Sequence, residues 1–90
     1  MPRVRFTRNL LRFFPDLQEA DVEGSTIAEI VAVLDTRYQG LADYLLDERG
    51  ALRKHVNIFI DDELISDRKT LGDRVGSEDQ IHIIQALSGG

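Results

Sequence analysis

The residues most able to do chemistry in this 90-residue chain are the last four, Leu87-Ser88-Gly89-Gly90. A terminal Gly90 offers a free carboxylate on a residue with no side chain. The stretch just before it, residues 80–86, reads as a buried β-strand, so the carboxylate sits at the tip of a short polar leash. Glycine lacks Cβ, so Gly89 and Gly90 reach backbone angles closed to other residues and approach another backbone closely. Fully extended, Leu87 to Gly90 spans roughly 13 Å at about 3.3 Å per residue. Such a tail suits a protein whose own C-terminus is the reacting group.

No other constellation competes with it. The chain has no cysteine, which excludes disulfides, thiolate catalysis and cysteine-ligated zinc. Ser25, Thr26, Ser66 and Thr70 fall at turns or caps, with no general base placed beside them. His55 and His82 lie in separate strands, and spacing supplies no third ligand, so no metal site is expected. Asp61-Asp62-Glu63 reads as the acidic turn of a hairpin. The glycines form no strand–glycine-rich turn–helix phosphate loop.

Ninety residues make one domain with one modest core. Apolar residues are 42% and charged residues 30% of the chain, the balance of a soluble globular protein. No apolar run is long enough to span a membrane, and the N-terminus lacks the pattern of a signal peptide. A cytoplasmic protein, monomeric when alone, is expected. The net charge of −5 is uneven: residues 1–14 hold Arg3, Arg5, Arg8 and Arg12 and no acid, while the remainder is strongly acidic. The acidic bulk argues against nucleic acid. The arginines read as the solvated face of an edge strand, with a local anion patch as the alternative.

The elements that must hold the tail can be read by period. Arg3 to Arg8 alternates, giving a strand with Val4 and Phe6 inward. Residues 10–15 form an apolar connection, and residues 18–22 a second strand. Thr26-Ile27-Ala28-Glu29 has the form of a capping box. Ile27, Ile30, Val31, Leu34 and Tyr38 then mark one stripe of a helix, and Gly40 can take a left-handed C-terminal conformation. Leu41, Leu45 and Leu46 suggest a short second helix. His55 to Ile60 is a β-branched strand, and Leu64-Ile65 returns from its turn. Leu71 to Val75 suggests one helical turn, and residues 80–86 the last strand. The order ββαββ, with a right-handed crossover placing the last strand beside the first, describes an α+β roll with a mixed sheet grasping one main helix. The expected division is a globular domain over residues 1–87 and a tail over 88–90.

With these residues in place, the chain resembles ubiquitin, and more closely the MoaD/ThiS family of prokaryotic sulfur carriers. Val56-Asn57-Ile58-Phe59-Ile60, the acidic turn after it, and Ile81-His82-Ile83-Ile84-Gln85-Ala86-Leu87-Ser88-Gly89-Gly90 are similar to the second half of that family. Chain length and the residue 55–60 strand are similar to the branch that includes carriers for cysteine biosynthesis. The resemblance covers essentially the whole chain and implies a β-grasp fold.

It also implies a chemistry. A partner enzyme of the ubiquitin-activating type would use ATP and magnesium to convert the Gly90 carboxylate to an acyl-adenylate. A persulfide sulfurtransferase or sulfide would then supply sulfur, leaving a thiocarboxylate that is donated inside an acceptor enzyme. That enzyme would belong to molybdopterin, thiamin, cysteine or a related biosynthesis. The carrier itself binds no cofactor tightly and is not an enzyme, although it can be the small subunit of a synthase complex. Leu87, Ser88 and Gly89 would enter the partner's active site. Strand alternation places His82 and Ile84 on the open face if Ile81 and Ile83 face the helix, and gives Phe59 the same outward parity. Comparison with the family's apolar docking face adds Leu64. Phe59, Leu64 and Ile84 are therefore the expected docking patch, unless the segment 10–15 covers Phe59 or Leu64. The alternative reading is a ubiquitin-like modifier joined through Gly90 to target lysines.

Overall fold

An eleven-residue helix is marginal in water by itself, so the main helix must be fixed by what it buries. In the computed structural model, which describes residues 1–85, Ile27, Ile30, Val31 and Leu34 of this helix are all buried. They share one core with Val4, Val56, Ile58, Ile81 and Ile83 of the sheet. Each such side chain contributes about 1.5–3 kcal/mol on burial, which is ample to hold the helix against the strands.

Eight elements follow in order: β1 (Arg3–Phe6), α1 (Arg8–Leu11), β2 (Ala20–Asp21), α2 (Ile27–Arg37), α3 (Leu41–Leu45), β3 (Val56–Ile60), β4 (Glu63–Leu64) and β5 (Gln80–Gln85). The strands form one mixed sheet in the order β2-β1-β5-β3-β4. β1 and β5 run parallel, with Arg3 opposite Gln80 and Phe6 opposite Ile83. The other pairs are antiparallel. The first and last strands therefore lie side by side in the middle of the sheet, as expected. The Leu87, Ser88, Gly89 and Gly90 assignments, and the boundary after residue 87, lie outside the described residues.

The start of α2 follows the capping box. The Thr26 side chain accepts from the Glu29 N–H at 3.2 Å, while the Glu29 carboxylate accepts from the Ser25 N–H at 2.9 Å. The Ser25 N–H, and then the Ser25 hydroxyl at 3.1 Å, hold the Glu29 carboxyl below its ordinary range. Gly24 makes the close approach that precedes this cap. A Cβ there would lie 2.9 Å from Ile30 Cδ1, on a backbone with φ of 155°. At the far end Gly40 takes the left-handed conformation, φ 95°, and leads directly into α3.

Three local expectations are corrected. Arg8 is not in a strand: β1 ends at Phe6, and Arg8–Leu11 forms a single helical turn that buries Leu10. Nor is β1 an edge strand, because β2 covers its outer side. Arg3 is tied to Glu19 at 2.7 Å and to Asp21 at 3.3 Å, so of the arginines only Arg3 and Arg5 share the outward face of β1, and Arg3 is paired there.

Residues 71–75 do not form a helical turn. Their carbonyls serve α2 instead: Asp73 accepts from the Ile27 N–H at 3.1 Å and Leu71 from the Ala28 N–H at 2.9 Å. These are two of the N–H groups that a helix start leaves unpaired. Leu71 reaches this position in the left-handed region, φ 56°. Such strain costs on the order of 1–3 kcal/mol, and complete burial of the leucine offsets it.

Asp67 holds this loop in shape. Its carboxylate accepts from the N–H groups of Lys69, Thr70 and Gly72 at 3.1, 2.9 and 3.1 Å, and from the Thr70 hydroxyl. The carboxyl is lowered from 3.8 to about 2 by these bonds, the Thr70 hydroxyl first. A depressed carboxyl stabilises the fold above its unfolded value and loses that contribution as pH falls through the folded one. Melting temperature should therefore fall between about pH 4 and about pH 2 more steeply in the wild type than in Asp67→Asn. Parallel curves for the two proteins would remove Asp67 from this role.

Candidate functional site: the open face of the sheet

Strand register decides which side chains share the face away from α2. Directly opposed residues lie on the same side of a sheet. Arg5 of β1 is opposite His82 of β5, His82 is opposite Phe59 of β3, and Phe59 is opposite Leu64 of β4. One row of four side chains thus crosses four strands. Ile84 follows His82 two positions on, opposite Asn57, and belongs to the same face. Ile81 and Ile83 alternate with them and are fully buried on the helix side.

The three expected docking residues are brought together on this face. Leu64 is 49% exposed, a high value for a leucine, while Phe59 and Ile84 are half-buried. Arg5, Phe59, Asp61, Asp62, His82 and Ile84 line one shallow depression. The segment 10–15 covers none of the three. It turns toward α3, where the Phe13 and Phe14 rings pack on Tyr44 with centroids at 4.9 and 5.7 Å.

Arg5 lies outward, as its alternation with Val4 and Phe6 predicts, though it is not among the expected docking residues. Its charge acts on His82. Partial burial, and then the neighbouring guanidinium, lower the His82 imidazole from its ordinary value of 6.5. Both effects favour the uncharged form of the imidazole. Asp61 and Asp62 border the opposite end of the depression. Asp61 also builds the hairpin turn in the left-handed region, φ 55°, and its carboxylate accepts from the Gln80 N–H at 3.0 Å.

Chemically, this face can bind but offers no reaction. It pairs no nucleophile with a base, and among the described residues no group of three metal-binding side chains comes together. His55 is exposed just ahead of β3, apart from His82. No described helix is long and apolar enough to cross a membrane. Phe59, Leu64 and Ile84 form an apolar strip on this face, with the Arg5 cation at one end and Asp61 and Asp62 at the other, the mixture of apolar centre and polar rim that protein interfaces use.

A model of the ThiS family matches residues 7–90, nearly the whole chain. The chain belongs to the ThiS family. Among curated relatives, the sulfur carrier protein CysO of Mycobacterium tuberculosis is 27% identical over 75 residues, which is 81% of each protein. Among solved structures, a chain of the BexX/CysO complex of Amycolatopsis orientalis superposes with a TM-score of 0.84 at 22% identity, covering 100% of both chains. SAMP1 of Haloferax volcanii gives 0.76 at 20% identity, over 99% of this chain and 98% of its own. These structural likenesses establish the β-grasp fold for this ThiS-family chain, with one main helix grasped by a mixed sheet.

Proposed function

We propose that this ThiS-family chain is a sulfur carrier that works through the carboxylate of Gly90. The observation that carries the reading is the family match running through residue 90, with the CysO sulfur carriers among the relatives. A carboxylate is a poor electrophile, because attack must overcome its charge and expel oxide. In the proposed route a Gly90 oxygen attacks the α-phosphorus of ATP within an adenylating partner, and pyrophosphate leaves with the broken P–O bond. Magnesium in that partner neutralises the phosphate charge. Sulfide then attacks the acyl carbon, and AMP departs with the C–O electron pair, leaving the thiocarboxylate. A persulfide donor gives an acyl disulfide first, which a thiol reduces to the same product.

This chain's own residues dock and present. Phe59, Leu64 and Ile84 seat the body on the adenylating enzyme. Leu87, Ser88 and Gly89 carry Gly90 into the partner's site. The acceptor is a biosynthetic enzyme that takes the sulfur for molybdopterin, thiamin, cysteine or a related product. The solved BexX/CysO complex supports the idea that a chain of this fold works while docked on another protein.

The test is the intact mass of protein isolated from its native host after incubation with ATP, magnesium, sulfide and the adenylating enzyme. The expected product is heavier by the difference between one sulfur and one oxygen, with the change confined to the C-terminal peptide. A second reading, a protein modifier, draws support from the likeness to a structure described as small archaeal modifier protein 1. It expects Gly90 in isopeptide bonds to lysines, and their appearance without any thiocarboxylate would replace the carrier reading.

A further inference from the structure

The end of β5 is held by side chains where the sheet has run out of backbone. Within a strand the N–H and C=O of one residue point to the same side. Gln85 turns both away from β3 and toward β1, but β1 has already ended at Phe6. Two side chains from the connection that follows take over. The Thr7 hydroxyl oxygen accepts from the Gln85 N–H at 3.2 Å, and the Asn9 side-chain amide donates to the Gln85 carbonyl at 2.9 Å. The Thr7 N–H meanwhile donates to the Ile83 carbonyl at 3.2 Å, so the ladder passes from backbone to side chains without a gap.

A third arm comes from the helical layer. The Tyr44 hydroxyl of α3 donates to Gln85 Oε1 at 3.0 Å. Tyr44 is itself flanked by Phe13 and Phe14, at centroid separations of 4.9 and 5.7 Å. Gln85 is thus bound through its backbone N–H, its backbone C=O and its side chain, by three residues from two separate segments of chain. Ile81 and Ile83 of the same strand lie in the core and the Tyr44 ring packs against it, whereas Gln85 is held by these hydrogen bonds.

We infer that Thr7, Asn9 and Tyr44 form a clamp on Gln85 that fixes where, and in which direction, the chain leaves the sheet toward Gly90. This rests on the carrier reading for its kinetic consequence, because only a reacting Gly90 needs a defined root. With the root fixed at Gln85, five residues remain, and the carboxylate stays within roughly 16 Å at about 3.3 Å per residue. If the clamp opens, β5 frays and the same carboxylate sweeps a larger volume with no preferred heading. Docking on the open face is unaffected, since Arg5, Phe59, Leu64, His82 and Ile84 take no part in the clamp. The three are positioning residues, acting on the reaction through Gln85.

The experiment pairs Thr7→Val with Asn9→Ala in the full chain and sets it beside Tyr44→Phe, which keeps the aromatic stack. Amide exchange read by NMR should accelerate at Gln85 by about tenfold or more in the double variant, with Ile81 and Ile83 unchanged. In ATP–pyrophosphate exchange with the cognate adenylating enzyme, kcat should fall by about three- to tenfold at unchanged KM, on the scale of lost orientation. Tyr44→Phe should show the same pattern more weakly. Unchanged exchange at Gln85, or equal acceleration along all of β5, overturns the clamp. A loss carried by KM overturns its positioning role. A wild-type chain that the enzyme never adenylates overturns the carrier reading instead, and exchange at Gln85 then decides the clamp alone.

Discussion

Deleting Gly90, or replacing Gly89 by Trp, should lower adenylation by at least about 100-fold, the scale that a misplacement near 1 Å can reach. The deletion moves the carboxylate onto Gly89 and draws it back by about 3.3 Å. Attack requires the reacting atoms about 3–3.5 Å apart, so one residue of retreat removes the carboxylate oxygen from reach. Trp at position 89 acts differently. It leaves the length intact but adds a bulky Cβ substituent where the leash must pass close to the partner's backbone. Gly89→Ala should fall between the wild type and Gly89→Trp. The described core is built from residues between Val4 and Ile83, so melting temperatures should stay within about 3 °C of the wild type. Normal adenylation of the Gly90 deletion, measured by ATP–pyrophosphate exchange, would sink the assignment of Gly90.

The second large effect is expected from Ile84→Asp. Ile84 stands half-buried on the open face, beside the row formed by Arg5, His82, Phe59 and Leu64. An aspartate there replaces apolar contact with a charge that must shed water when the partner docks. Central apolar anchors cost about 2 kcal/mol or more when lost, so KM for the carrier should rise about 30-fold or more. The kcat at saturation should change little, because the path of the leash is intact. Leu64→Asp, at the other end of the strip, should raise KM less, since its exposure marks a rim position. Titration of each variant against the adenylating enzyme separates the two parameters. An unchanged KM for Ile84→Asp would place docking on another surface.

The sequence was legible where neighbouring residues decide the structure. Thr26 and Glu29 lie within one turn, and their spacing alone announces the helix start. β3 and β5 alternate cleanly because one face is buried by α2 and the other is open. The same alternation places Phe59 and Ile84 on the open face. What escaped was decided by distant partners. Arg8 reads as the end of the first strand yet opens the helical turn Arg8–Leu11, with Asn9 anchored to Gln85, seventy-six residues away. Leu71 has the composition of a helical residue, but the N-terminus of α2 needs its carbonyl, and Asp67 collects the local N–H groups that a helical turn would use. The sequence Asp67-Arg68-Lys69-Thr70-Leu71-Gly72 did carry a hint, an aspartate followed by a threonine and a glycine at turn spacing. Tyr44 left no such mark, since nothing in a helical tyrosine names its partner.

The parallel pairing of β1 with β5 has a consequence for synthesis. A nascent chain makes β1 first and must wait for nearly all the rest before its central neighbour exists. A polypeptide truncated between residues 60 and 80 has β1 and β3 but nothing to join them, and its apolar strands stay open to chaperones and proteases. Closure of the sheet is therefore also a proof of length. Any molecule that has folded has been translated to within a few codons of its glycines, so a partner that recognises the finished sheet rarely meets a carrier without its leash.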